Sequence, residues 1–300
     1  MNLFDRLVRI GLPIVPRFIV GKVARRYVAG ESVDDAIRVI RSINAEGATA
    51  TLDVLGEEVS ERSVAQASVE QYVELFDVIR REGLDANVSV KPTMLGLKID
   101  EEECRANISK IVAAAAEHDN FVRIDMEDHT CTDATLRIYR QVLTEHGHTG
   151  VVLQAYLRRT LADIDELLPL EPNIRICKGI YREPRTIAWS DFDTVRANFS
   201  YATEKLLRGG AYVGIATHDA FLVWAGMRVV DELRLDRDAY EFQMLYGVDP
   251  ELRRIILAGS HRLRVYVPFG RDWYPYSTRR LRENPTIARH VLRAMLGLSP

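Results

Sequence analysis

A run of apolar and β-branched residues ending in polar ones, followed by an amphipathic helical stretch, recurs eight times in this chain. The runs fall at residues 48–55, 86–91, 121–126, 150–156, 173–178, 211–217, 240–245 and 263–268. Between them, residues 64–82, 101–117, 133–146, 161–168, 192–208, 221–233 and 250–260 carry apolar side chains at helical spacing. Such alternation restricts topology severely. Parallel neighbours need crossover connections, and helices are the usual crossovers. Eight units over about 250 residues predict an α/β fold, a closed (β/α)8 barrel of the TIM type. A doubly wound open sheet is the alternative. Residues 1–45 read as an N-terminal helical segment with turns near residues 13–16 and 30–32, and residues 46–300 as a single barrel domain. A last helix is expected over much of residues 273–298. With 47% of its 300 residues hydrophobic, the chain has enough apolar surface for a core of that size.

Charge excludes some classes. The formal net charge is −3, whereas a dedicated nucleic-acid binder usually carries a basic excess, so no nucleic-acid partner is expected. The distribution is uneven. Residues 1–30 hold six basic side chains against Asp5, residues 262–300 hold eight arginines against Asp272 and Glu283, and the body between is acidic. A basic terminal segment on an acidic body can gather cations around an anionic ligand, or can be a solvated helix face. Cys104, Cys131 and Cys177 make no complete disulfide set and match no zinc spacing, which points to a reducing compartment and no metal. The longest early apolar run, residues 10–21, is broken by Pro13, Pro16 and Arg17. It is too short to span a bilayer and has no small-residue cleavage pattern. A basic amphipathic segment lying on a membrane surface stays open. The expectation is a cytoplasmic protein, with peripheral contact at the inner membrane surface. No G-x-G-x-x-G follows any candidate strand and no P-loop is present, so a nucleotide must be held another way.

In such a barrel, ligand chemistry sits at the C-terminal ends of the strands. Lys91 ends the second run, Asp125 and Glu127 the third, and Thr217 and His218 the sixth. Gln154 and Tyr156 lie in the fourth, Arg175 and Lys178 in the fifth, Gln243 in the seventh and Tyr266 in the eighth. The first run leads into Gly56 and Glu57. Each group has a bland explanation as a cap, a first solvated residue or a satisfied core amide. Gathered on one rim, they favour a site. In the last helix, Tyr276, Arg279, Arg280 and Glu283 share one face at about 100° per residue. Two adjacent guanidiniums there can hold a small carboxylate bidentately. A solvated, ion-paired helix face is the alternative.

The chain resembles the flavin-dependent proline dehydrogenases in their small monofunctional bacterial form. The resemblance runs from Asp53-Val54-Leu55-Gly56-Glu57 to Glu283. It passes through Ser89-Val90-Lys91-Pro92, Asp125-Met126-Glu127, Gln154-Ala155-Tyr156, the stretch Arg175 to Tyr181, Ala216-Thr217-His218, Phe242 to Gly247, and Tyr266 to Gly270. The closing stretch from Tyr276 to Glu283 is its most specific piece. The resemblance implies a distorted (β/α)8 barrel holding non-covalent FAD, with L-proline against one face of the isoalloxazine and the C-terminal helix binding substrate. By position, Arg279, Arg280 and Lys91 would bind the proline carboxylate. Asp125 would hold the lysine, Tyr266, Tyr276 and Leu245 would pack the ring, and Tyr181 would complete the pocket. Gln154, Arg175, Lys178, Thr217, His218, Gln243 and Glu283 would contact the flavin. Glu57 would pair with an arginine as a gate. The family often has Ala where Ile180 stands and Asn where Asp219 stands. Neither position is expected to carry chemistry, although Asp219 alters the local field.

Elementary chemistry agrees with that implication. Oxidising the C–N bond of proline to 1-pyrroline-5-carboxylate removes two electrons that no side chain can accept, so a cofactor must. The resemblance also implies a membrane quinone as the onward acceptor and transient docking with a 1-pyrroline-5-carboxylate dehydrogenase. Two other readings remain at this point. One is a Schiff-base aldolase-type barrel using Lys91 or Lys178. The other is a non-catalytic sensor for a carboxylated ligand.

Overall fold

The computed structural model describes residues 17–56, 58–274 and 276–278. Eight parallel strands close a barrel in chain order: β1 Thr49–Val54, β2 Ala86–Val90, β3 Val122–Ile124, β4 Thr149–Gln154, β5 Asn173–Cys177, β6 Tyr212–Ala216, β7 Tyr240–Leu245 and β8 Leu263–Phe269. Pairing of β8 with β1, from Thr49 opposite Arg264 to Val54 opposite Phe269, closes the ring. The open-sheet alternative is thereby excluded. Two helices precede the barrel, α1 Arg17–Tyr27 and α2 Val33–Ala45. The crossovers are α3 Arg62–Arg81, α4 Glu101–Glu117, α5 Thr132–His146, α6 Thr160–Leu167, α7 Phe192–Arg208, α8 Ala220–Leu233 and α9 Pro250–Ala258. Helix starts carry the expected chemistry. Ser32 and Asp35 form a reciprocal capping box on α2, and Asp100 and Asp191 accept from the first-turn amides of α4 and α7.

Two strands stop two residues before the end of their apolar runs. β3 stops at Ile124, and the Asp125 N–H makes one last bond to Val90 O (2.9 Å). β4 stops at Gln154, which leaves Tyr156 in the turn that follows. Of the expected last helix, residues 273, 274 and 276–278 are helical, and the rest lies outside the described residues.

Alternate strand residues divide the barrel into two environments. Leu52, Val90, Ile124, Leu153, Ile176, Ile215, Met244 and Val267 are buried in the main apolar core with the helices. Their neighbours face inward and are polar: Thr51, Asp53, Asn87, Ser89, Arg123, Arg175, Glu241, Gln243 and Arg264. Barrel interiors of this type are usually filled by branched aliphatics. Here hydrogen bonds fill the space. Arg175 on β5 reaches Asp125 beyond β3 (2.6 Å) and Ser89 on β2 (3.3 Å), and its Nε donates to Gln243 on β7 (2.6 Å). Gln243 Nε2 donates to Glu241 (2.6 Å), which also accepts from Arg264 Nε (2.8 Å). A buried polar chain thus runs from the C-terminal end of the barrel to its base. Glycine makes the room, because a Cβ at Gly214 would overlap the Gln243 amide.

The N-terminal segment lies over the C-terminal end of β8. Ala29 N–H donates to Pro268 O (2.9 Å) and Gly270 N–H donates to Gly30 O (2.9 Å). Val28, Leu55 and Tyr276 form a small apolar cluster with Trp273 packed against it.

Candidate active site

At the C-terminal mouth of the barrel is a cavity of about 670 Å³, within the range of small-molecule sites. Of the residues to which the resemblance gives a catalytic or flavin-contacting role, twelve are described and all twelve line it, whereas Tyr156 of the fourth run does not. The twelve are Lys91, Asp125, Gln154, Arg175, Lys178, Tyr181, Thr217, His218, Gln243, Leu245, Tyr266 and Tyr276. Arg279, Arg280, Glu283 and Glu57 lie outside the described residues.

The floor is a network of buried charges. Lys91, 7% exposed, forms an ion pair with Asp53, which is fully buried on β1. The expectation that Asp125 holds this lysine is therefore corrected. The Asp125 carboxylate instead accepts from Arg175 Nη1 (2.6 Å), Ser89 Oγ (2.8 Å) and Tyr266 Oη (2.9 Å). The reason is position. Asp53 sits on the strand next to β2, level with Ser89 and two residues below the lysine, whereas Asp125 is taken up by the guanidinium that crosses the barrel. Burial pushes the Asp53 carboxyl above its ordinary value, against the pull of Lys91. Burial, with Asp125 alongside, pushes the Tyr266 phenol far up, so it is a hydrogen-bond donor at neutral pH. The Arg175 guanidinium stands over the Tyr266 ring at 5.2 Å.

The wall carries a second set. Lys178 Nζ bonds Asp219 (2.8 Å), which also pairs with Arg196 Nε (2.9 Å). Burial opposes ionisation of Asp219, yet its two cations hold the carboxyl below the usual range. Asp219 thus sets the position of Lys178, which is more than the background field expected of it. The Leu245 backbone N–H donates to His218 Nε2 (2.8 Å), so that nitrogen is the ring's acceptor and Nδ1 carries the proton. Gln154 Nε2 donates to the carbonyls of Met126 and Glu127 (both 3.3 Å). Two buried polar atoms on this wall, Arg175 Nη2 and Gln154 Oε1, have no hydrogen-bond partner among the described residues.

Three functional-looking residues were missed or underread in the sequence. Asp53 stands inside an apolar strand. Its signal was an isolated carboxylate in the run Thr51 to Leu55. Glu127, placed on the rim in the sequence but given no role, is 5% exposed and accepts from Thr93 N (2.8 Å) and Thr93 Oγ1 (2.6 Å). Phe192 also lines the cavity, with Lys178 Nζ 5.0 Å from its ring centroid. Nothing in the sequence separates it from an ordinary helix-start aromatic.

A closed parallel barrel with a cavity of paired charges and aromatic rings at its strand ends defines a TIM-barrel enzyme. Comparison with known proteins narrows this. The family model described as proline dehydrogenase matches residues 36–293. The chain is 38% identical over 278 residues to the proline dehydrogenase of Deinococcus radiodurans, covering 91% of this chain and 90% of that one. It is 36% identical over 273 residues to proline dehydrogenase 1 of Bacillus subtilis, with the same coverage. The chain belongs to the proline dehydrogenase family. Among solved structures, proline utilization A from Bdellovibrio bacteriovorus superposes with a TM-score of 0.82 at 25% identity over 88% of this chain. The same protein from Corynebacterium freiburgense gives 0.78 at 21% identity over 97%. The chain spans only 32% and 34% of those two longer proteins. Among the described residues, no helix is long and apolar enough to cross a membrane.

Proposed function

We propose that the protein oxidises L-proline to 1-pyrroline-5-carboxylate, the first step from proline to glutamate, with non-covalent FAD as the hydride acceptor and a membrane quinone as the onward oxidant. The observation that carries this reading is the pair of buried atoms on the cavity wall, Arg175 Nη2 and Gln154 Oε1, that have no hydrogen-bond partner among the described residues. Buried polar groups are normally satisfied, so these two await a ligand that both accepts and donates. A flavin offers both kinds of group and a pyrophosphate. Arg175, Lys178, Gln154, Gln243, Thr217 and His218 would hold it, with Glu283 from outside the described residues. When bound, the flavin supplies the two-electron acceptance that side chains lack.

The chain's own residues do the rest. Lys91, fixed by Asp53, meets the proline carboxylate together with Arg279 and Arg280. Tyr266, Tyr276, Tyr181 and Leu245 enclose the pyrrolidine ring and exclude water. Asp125 locks the Tyr266 hydroxyl and Arg175 in place, so the ring lies where hydride leaves the carbon beside nitrogen. The ammonium proton departs to solvent first. Catalysis is then mostly positioning and desolvation. A Schiff-base role fits Lys91 and Lys178 poorly, because both amines are engaged by carboxylates, whereas an amine nucleophile must be free to attack. We place the protein in the cytoplasm, meeting the membrane peripherally, with product passed to a 1-pyrroline-5-carboxylate dehydrogenase by transient docking. The test is optical. The purified protein should be yellow, and L-proline added without oxygen should bleach it. A colourless protein that FAD cannot reconstitute overturns the cofactor, and colour that persists with proline overturns the substrate.

A further inference from the structure

The barrel has a second cavity, of about 540 Å³, at its base. It is lined by the first residues of the strands, at the end opposite the site described above. Arg123 on β3 dominates it. This side chain is 2% exposed. Its guanidinium donates to Val151 O (3.1 Å) and Asn173 O (2.7 Å) and to the Asn173 side-chain oxygen, and it stacks over Phe121. Among the described residues, no carboxylate lies within 4.0 Å of it, and its Nε is buried with no partner. Neutral carbonyls solvate such a charge but do not cancel it, and a buried uncompensated charge is costly. Burial, with the Arg175 charge, pushes this guanidinium down to about 9, so it remains a cation at neutral pH. Gly150 makes the space, since a Cβ there would overlap Arg123 Nη1.

The surrounding charges do not supply the missing partner. Glu241 is engaged by Arg264 (2.8 Å) and its charge also acts on Arg123 from beyond 4.0 Å, so one carboxylate stands against two buried guanidiniums. Asp85 and Asp119 stand on the wall without pairing to Arg123. Arg80 and Arg262 add further cations to the lining. We propose that this basal cavity is a binding site for a small oxyanion, a carboxylate or a phosphate group, with the Arg123 guanidinium as the buried cation behind it. The site is distinct from the upper cavity and stands whether or not the proline reading holds. It connects to that cavity through Arg264, Glu241, Gln243 and Arg175, the polar chain along the barrel axis.

Calorimetric titration of the full chain, as purified, with sodium phosphate and separately with sodium acetate at constant ionic strength tests this. One saturable site per chain is expected for at least one of the two anions. The tighter of the two identifies phosphoryl or carboxylate chemistry. Arg123→Gln should weaken binding by about tenfold or more, the loss of one charge-assisted bond. Arg262→Ala, at 30% side-chain exposure, leaves the core intact and should weaken binding several-fold, which decides the matter if Arg123→Gln does not fold. Lys91→Met, at the other end of the barrel, should bind the anion as the wild type does. No saturable heat with either anion overturns the proposal. So does binding unchanged in the arginine variants, or binding lost in Lys91→Met, which would put the anion in the upper cavity.

Discussion

Lys91 and Asp53 show how much of a site can hide in a single pairing. The lysine was conspicuous because it ends an apolar run. Its counter-ion was not, because an acid in mid-strand reads as a core position until the partner strand is known. Only the register of β1 against β2 brings the two together. Asp53→Asn keeps the shape and removes the buried carboxylate that Lys91 pairs with. Removing one partner of a buried pair costs about 3–5 kcal/mol, and Asn retains an acceptor, so the loss should fall at or below that range. The variant should melt lower, keep its flavin and show a raised KM for proline. An unchanged KM would remove Asp53 from the positioning of Lys91. Arg279→Met probes the proposed clamp from the other side. Losing a charge-assisted contact of about 1.5–3 kcal/mol should raise KM roughly tenfold or more without loss of flavin. Proline kinetics equal to the wild type would refute the carboxylate role. Polar residues at strand ends were legible singly. Their partners were not, since Asp125 with Arg175 and Gln243 with Glu241 are contacts across or along the barrel.

At the level of strands and helices, the periodicity carried most of the information. Helices α4 and α7 begin and end where their apolar spacing predicts. The errors lie at strand ends, where apolar character outlasts hydrogen bonding. The run at 121–126 continues past Ile124 because Met126 is buried, while its backbone has already left the ladder. Less visible was that many of the alternate strand residues would be polar and still buried. Alternation of that kind ordinarily signals one wet face, and the closed barrel turns it into an interior. Gly214 on β6 tests that interior. Its Cα lies beside Glu241 in the ladder, and a Cβ would push into the Gln243 amide. Gly214→Ala adds a methyl with no strain in strand geometry, so its effect reports the crowding alone. Displacing Gln243 breaks its bonds to Arg175 and Glu241. Hydrogen bonds to charged groups are worth about 1.5–3 kcal/mol each. The midpoint of thermal unfolding should fall by several degrees, with flavin leaving more readily on dialysis. A melting curve superimposable on the wild type would mean that Gln243 moves aside freely and the chain has no such tension.

The whole molecule brings both described ends of the chain to one rim. The basic N-terminal segment reads in the sequence as solvated charge or a membrane-facing surface. In the fold, part of it is architecture. Arg26 Nε donates to Gly247 O (3.2 Å), Trp273 Nε1 donates to Glu31 Oε1 (2.7 Å), and Val28 packs with Leu55 and Tyr276. Tyr276 lines the active-site cavity. The segment therefore backs residues 273, 274 and 276–278, which precede the proposed clamp residues in sequence, a relation between residues some 240 apart that no local pattern reveals. Two truncations separate architecture from surface attachment. Removing residues 1–16 leaves these contacts in place, so proline kinetics should be unchanged while any liposome association carried by that stretch is lost. Removing residues 1–30 takes away Arg26 and Val28 and the Gly30 carbonyl that receives Gly270 N–H. Tyr276 then loses its backing, and KM for proline should rise several-fold with a lower melting temperature. If the longer truncation turned over proline with the wild-type KM, the N-terminal segment would have no part in shaping the site, and attachment to the membrane would be the better account of its charge.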